Sequence, residues 1–155
     1  MKDYISEFNL LIQKTSSAVG RIINGAQYEV IDLGVPHTPK SLPVGKMGIY
    51  TFSFKDQFLK IGKAGPNSNA RFLSQHYNHK SAKSTLAASI LRDNDYNNHK
   101  ITDKNIKEWI KQNCRRVDII FDISLGVFTL EFVEAILHYN YEPKYEGFLS
   151  SNCTN

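Results

Sequence analysis

Residues 47–64 read MGIYTFSFKDQFLKIGKA, and the folding of this stretch decides the rest of the chain. Residues 47–54 (MGIYTFSF) are rich in aromatic and β-favouring side chains, and residues 58–62 (FLKIG) form a second such run. Lys55, Asp56 and Gln57 between them are turn-like, so the stretch predicts an antiparallel hairpin. Residues 60 and 62 share one side of the second strand, which predicts that Lys60 lies on the Tyr50 face.

Outward from the hairpin, residues 37–45 hold Pro39 and Pro43 and predict a loop. Residues 28–35 (YEVIDLGV) alternate partly and predict a short strand. Tyr4, Ile5, Phe8, Leu11 and Ile12 recur at helical spacing, with Asp3 as the N-cap, and Val19, Ile22 and Ile23 predict a second helix. Downstream, GPNSN (65–69) is a loop able to cap a helix over 70–77, and SAKSTLAASIL (81–91) is a further helix. Residues 92–100 are Asn- and Asp-rich and predict a flexible loop. Ile106, Trp109 and Ile110 place a helix over 102–113, capped by Thr102 or Asp103. VDIIFDI (117–123) is a strand, and TLEFVEAILHY (129–139) is a helix that ends before Pro143. The order is that of an α+β protein, a small sheet covered by helices in one domain over 1–155.

Composition narrows the classes. The chain has 155 residues, 41% apolar and 22% charged, which suits one globular domain and excludes collagen-like, coiled-coil and fully disordered chains. No run reaches the ~18–20 apolar residues of a membrane span. Charges at Lys2, Asp3 and Glu7 argue against a signal peptide. Cys114 and Cys153 are too few for a disulfide framework and lack metal-binding spacing, so they are expected as free thiols in a cytoplasmic protein. Charge is strongly polarised. Residues 37–92 hold nine Lys/Arg against the single acid Asp56, a net +8 in a chain whose total is +4. That segment suggests a polyanionic partner, and a solvated face is the alternative.

Gly48-Ile49-Tyr50 on the first hairpin strand, Lys60-Ile61-Gly62-Lys63 on the second, Arg71 in the following helix and Glu134 on the last helix form an ordered set. This set resembles the GIY-YIG nuclease superfamily, whose core is a three-stranded antiparallel sheet flanked by helices. Lys60 stands where the family name has tyrosine, and K-I-G-K resembles one branch of the superfamily. Glu134-Ala135-Ile136-Leu137-His138 is similar to that branch's E-x-x-L-H pattern. The resemblance covers residues 47–148. It leaves residues 1–46 as an N-terminal helical extension and residues 78–116 as a helical insertion.

The resemblance implies a DNA endonuclease dependent on Mg²⁺ or Mn²⁺, hydrolysing duplex DNA in a restriction-like, defence or mobile-element role, with a homodimer as one way to cut both strands. The alternative is a non-catalytic nucleic-acid-binding module on the same fold. The implied catalytic residues are Tyr50, Lys60, Lys63, Arg71 and Glu134, with Glu134 also the metal ligand. The chemistry suits them. Tyr50 offers a hydroxyl whose ordinary pKa of about 10 neighbouring cations would lower. Gly62 leaves room for the DNA backbone or water. Arg71 presents a fork matched to phosphate oxygens. One carboxylate is how Mg²⁺, which keeps its waters, is often held.

Lys60 has three open roles: activating water, holding phosphate or only adding charge. Expected DNA contacts are Lys46, His76, Tyr77, Lys80 and Lys83. The family position one turn after the arginine is Gln75 here, and spacing leaves His76 and Tyr77 both open as substitutes. His138 shares a helix face with Glu134, either supporting its carboxylate or capping the core. Glu146, three residues after Pro143 where the family often has asparagine, is either a supporting group or a surface acid. Asn94, Asn97, Asn98 and Asn105 are either base-reading or loop residues.

Overall fold

A computed structural model describes residues 2–146; Phe148 and Cys153 lie outside the described residues. The elements run α1 (Tyr4–Ala18), β1 (Tyr28–Gly34), β2 (Lys46–Phe54), β3 (Gln57–Ala64), α2 (Asn69–Leu73), α3 (Leu86–Arg92), α4 (Ile106–Asn113), β4 (Arg115–Asp122) and α5 (Val127–Tyr141). The class is α+β. The sheet is antiparallel in the order β1-β4-β2-β3. Four strands replace the three expected, because β4 pairs on its second edge with β1 from the N-terminal extension, Tyr28 opposite Phe121 and Ile31 opposite Asp118.

Asp3 caps α1 by accepting the Ser6 backbone N–H. The expected second helix around Ile22 does not form. Gly20 adopts a left-handed φ of 76°, and bonds from Gly20 N to Ser17 O and Arg21 N to Ser16 O close the helix end. The hairpin turns on Lys55 and Asp56, both at positive φ, with Phe54 opposite Gln57.

The pairing places Tyr50 opposite Gly62 and Phe52 opposite Lys60, but Ser53 opposite Phe58. Leu59 is therefore a bulge residue. The bulge lets Phe58 join the core on one face while Leu59 and Lys60 serve the other. On the first face α1 (Tyr4, Phe8, Ile12) and α5 (Leu130, Val133, Leu137) cover Met47, Ile49, Ile61, Val117 and Ile119. On the second face Phe72, Tyr77 and the helices within residues 78–116 (Leu86, Ala87, Ile90, Ile106, Ile110) cover Tyr50 and Phe52. Residues 78–116 thus supply half of the buried residues on this second face, and their end, Arg115 and Arg116, is already strand β4.

Residues 94–99 form a 3-10 turn rather than a flexible loop. Tyr96 and His99 pack with Phe54 and Trp109, the six ring pairs lying 5.3–5.8 Å apart. Asn105 serves local structure, bonding the Thr102 N–H and the Lys100 carbonyl. Among the described residues no helix is long and apolar enough to cross a membrane.

Candidate active site

Tyr50 is at the centre of the second face and is 0% exposed. Its ring lies across Gly62: a Cβ on Gly62 would come within 2.4 Å of the Tyr50 hydroxyl oxygen. The glycine makes room for the tyrosine, and not for DNA or water as expected. Gly48 plays the same part for α2, since a Cβ there would meet the Phe72 ring at 2.6 Å. Both motif glycines therefore seat aromatic side chains against the sheet.

Two nitrogens converge on the Tyr50 oxygen. Arg71 Nε donates to it at 3.2 Å, and His76 Nε2 lies 2.5 Å away. The Leu86 backbone N–H points at His76 Nδ1 at 3.4 Å. That nitrogen is then the acceptor, and the neutral ring carries its proton on Nε2, from which it donates to Tyr50. Burial, followed by the positive charges of Lys60, Arg71 and Arg116, lowers the His76 pKa to about 3 and keeps the ring neutral.

Burial also raises the Tyr50 hydroxyl above its ordinary range. The bond and charge of Arg71 pull it down, while Glu146 and Glu134 push it up. The expected lowering by neighbouring cations is thus outweighed in the free protein by desolvation.

The rest of the site comes from three more segments. Lys60 is on the Tyr50 face as expected, its side chain 6% exposed and paired with Glu146. Glu146 is brought there by residues 143–146, which lie along the β3 edge. Lys144 N bonds Phe58 O and Tyr145 N bonds Leu59 O, while Asp93 takes Tyr145 and Lys144. Of its two readings, that of a plain surface acid does not fit, since Glu146 is part-buried and paired with Lys60. Lys63 faces the other way and pairs with Glu134, whose side chain is 14% exposed.

α5 runs along β3 on the first face, so Glu134 reaches the site across the sheet edge, and its charge is felt by both Tyr50 and Arg71. Glu131 is exposed. His138, one turn on, does not support Glu134. It bonds the Ile61 carbonyl at 2.9 Å and pins α5 to the edge strand.

The expected DNA contacts divide. Lys80 and Lys83 are exposed, and Lys46 is half-buried, 3.5 Å from Asp122. His76 and Tyr77 are buried and present no surface to DNA. α2 stops after Leu73 and the chain tightens into a 3-10 turn over residues 75–77, which brings His76 rather than Gln75 to Tyr50.

Comparison with protein-family models, curated proteins and solved structures gives no match to this chain.

The donor set can be weighed for a divalent ion. Glu134 Oε2 takes the Lys63 ammonium, and Oε1 has no hydrogen-bond partner among the described residues. No group of three or more His, Cys, Asp or Glu among those residues could hold an ion. Glu134 Oε1 is the atom through which one carboxylate would hold a hard cation, with waters and substrate oxygens left to complete its shell.

Proposed function

We propose that the chain is a metal-dependent endonuclease that hydrolyses phosphodiester bonds of duplex DNA, with Tyr50 as the base. The observation that carries this reading is the convergence of Arg71 and His76 on the Tyr50 oxygen, beside two lysine–carboxylate pairs. A tyrosine with only a packing role has no need of two N–H donors on its hydroxyl oxygen, one from α2 and one from the 75–77 turn.

Two N–H donors on one phenol oxygen favour its deprotonated form over the neutral one and aim the remaining lone pair at the water to be activated. Arg71 spends only its Nε on Tyr50; Nη1 and Nη2 make no hydrogen bond among the described residues and can take two phosphate oxygens. Lys63 and Lys60 hold cationic charge beside the phosphate path and exchange their carboxylates for phosphate oxygens as DNA enters. Glu134 would hold Mg²⁺ or Mn²⁺, which when bound supplies positive charge to the scissile phosphate and the leaving oxygen. Incubation with supercoiled plasmid tests the reading: nicked or linear product with Mg²⁺ or Mn²⁺, and none in chelator.

One observation favours the second reading, a nucleic-acid-binding module without chemistry. Tyr50 is 0% exposed and both lysines near it are neutralised within the chain. Binding that survives while plasmid stays intact at every metal concentration would select it.

Either reading needs a polyanion on the +8 segment. Binding to duplex DNA, followed by fluorescence anisotropy in chelator, should weaken with salt at a log–log slope of about −0.9 per phosphate contacted. Replacing exposed Lys80 and Lys83 by glutamine should make that slope shallower by up to about 2. A flat titration would remove the polyanion from both readings.

A further inference from the structure

Arg116 is 0% exposed, and its hydrogen bonds have no place in the chemistry above. It is on β4 opposite Phe52, next to Asp118, which lies opposite Tyr50. All three nitrogens of its fork are used. Nε donates to Asp118 Oδ1 at 2.8 Å, Nη1 to the Tyr77 hydroxyl at 2.9 Å and Nη2 to the Phe72 carbonyl at 2.8 Å. The Phe72 and Phe52 rings flank the guanidinium at 5.0 and 5.3 Å.

Phe72 follows Arg71 in the chain, and Tyr77 follows His76. One guanidinium therefore grips the residue after each of the two donors to Tyr50. The Tyr77 arm is itself braced. His37 Nδ1 donates to the Cys114 carbonyl at 2.7 Å, so its Nε2 accepts the Tyr77 O–H at 2.8 Å. α2 has five residues and the 75–77 turn three. Segments so short do not hold a fixed geometry by their own hydrogen bonds.

We propose that Arg116 is a positioning residue, which sets Arg71 and His76 on the Tyr50 oxygen through the Phe72 carbonyl and the Tyr77 hydroxyl. Its effect on rate rests on the nuclease reading; its effect on His76 does not.

The full chain labelled with ¹⁵N-histidine tests this by NMR. In the wild type His76 gives the Nε2–H tautomer alone, with a slowly exchanging Nε2 proton. Arg116→Met combined with Asp118→Leu removes both charges together, so that neither is left buried without a partner. In that variant His76 should show mixed tautomers and fast proton exchange. Cleavage should fall roughly 100-fold in kcat, with KM for DNA changed by less than about threefold.

Arg116→Lys keeps a charge for Asp118 but cannot reach Phe72 and Tyr77 together. It should mix the tautomers as well, and it decides the matter if the double variant does not fold. A wild-type His76 signature retained in either folded variant overturns the proposal, as does a wild type lacking the Nε2–H form. A wild type that binds DNA without cutting it, while the His76 signal still moves in the variants, removes the nuclease reading and leaves the clamp.

Discussion

Glu134→Gln is expected to lower plasmid cleavage by at least about 100-fold while DNA binding in chelator is unchanged. The amide keeps the shape of the side chain and loses the charge a hard cation requires. It also releases Lys63, whose only hydrogen-bonded partner among the described residues is Glu134, so binding should not weaken. Glu131→Gln, three residues earlier on the exposed side of α5, should leave the rate within about threefold of wild type, as a surface change does. Cleavage assays of the two variants at several Mg²⁺ concentrations check both. If the effects were reversed, α5 would present its other acid to the substrate.

Tyr50→Phe is expected to cost on the order of 100- to 10,000-fold in the cleavage step, the range for loss of a positioned base. The ring keeps its seat over Gly62 and only the oxygen is lost, so the fold should survive.

The pH profile identifies the role more sharply. Burial holds the Tyr50 hydroxyl above its ordinary range, and a base must be deprotonated to act. The single-turnover rate should therefore keep rising with pH from neutral into the alkaline range instead of levelling near pH 7. Glu146 raises the Tyr50 pKa, so Glu146→Gln should shift the rising limb to lower pH. Lys60→Met leaves the Glu146 carboxylate without its ammonium and should shift the limb upward. A Phe variant that cuts at the wild-type rate, or a limb unmoved by both changes, would take the base role from Tyr50.

Much of this arrangement was legible in the chain because it follows from period and register. The two-residue alternation of a hairpin puts Lys60 on the Tyr50 side, and helical spacing puts Glu134 and His138 on one stripe facing β3. What was not legible depends on where regular geometry breaks. The bulge at Leu59 flips one strand end, and nothing in FLKIG announces it. The change from α-helix to 3-10 turn after Leu73 decides between Gln75, His76 and Tyr77, and spacing alone carries no sign of it.

The period of residues 28–35 shows that β1 is a strand but not where it pairs, because its partner β4 lies roughly 90 residues further along the chain, Tyr28 pairing with Phe121. Glu146 bonds Lys60 and His138 bonds a backbone carbonyl, contacts that only the folded edge of β3 creates. In RRVDIIFD, Arg116 and Asp118 point to the same side of the strand with opposite charges, so their pairing is readable from the two-residue period alone.

The central claim is that a phosphodiester is hydrolysed at Tyr50. The most direct measurement is to form the complex with a labelled DNA duplex in chelator, add excess Mg²⁺ and follow strand scission in a single turnover. Cleavage is expected to begin on addition of the metal and to be lost in Tyr50→Phe. Duplex that stays bound and intact after the metal is added, or that is cut equally well by Tyr50→Phe, would contradict the claim.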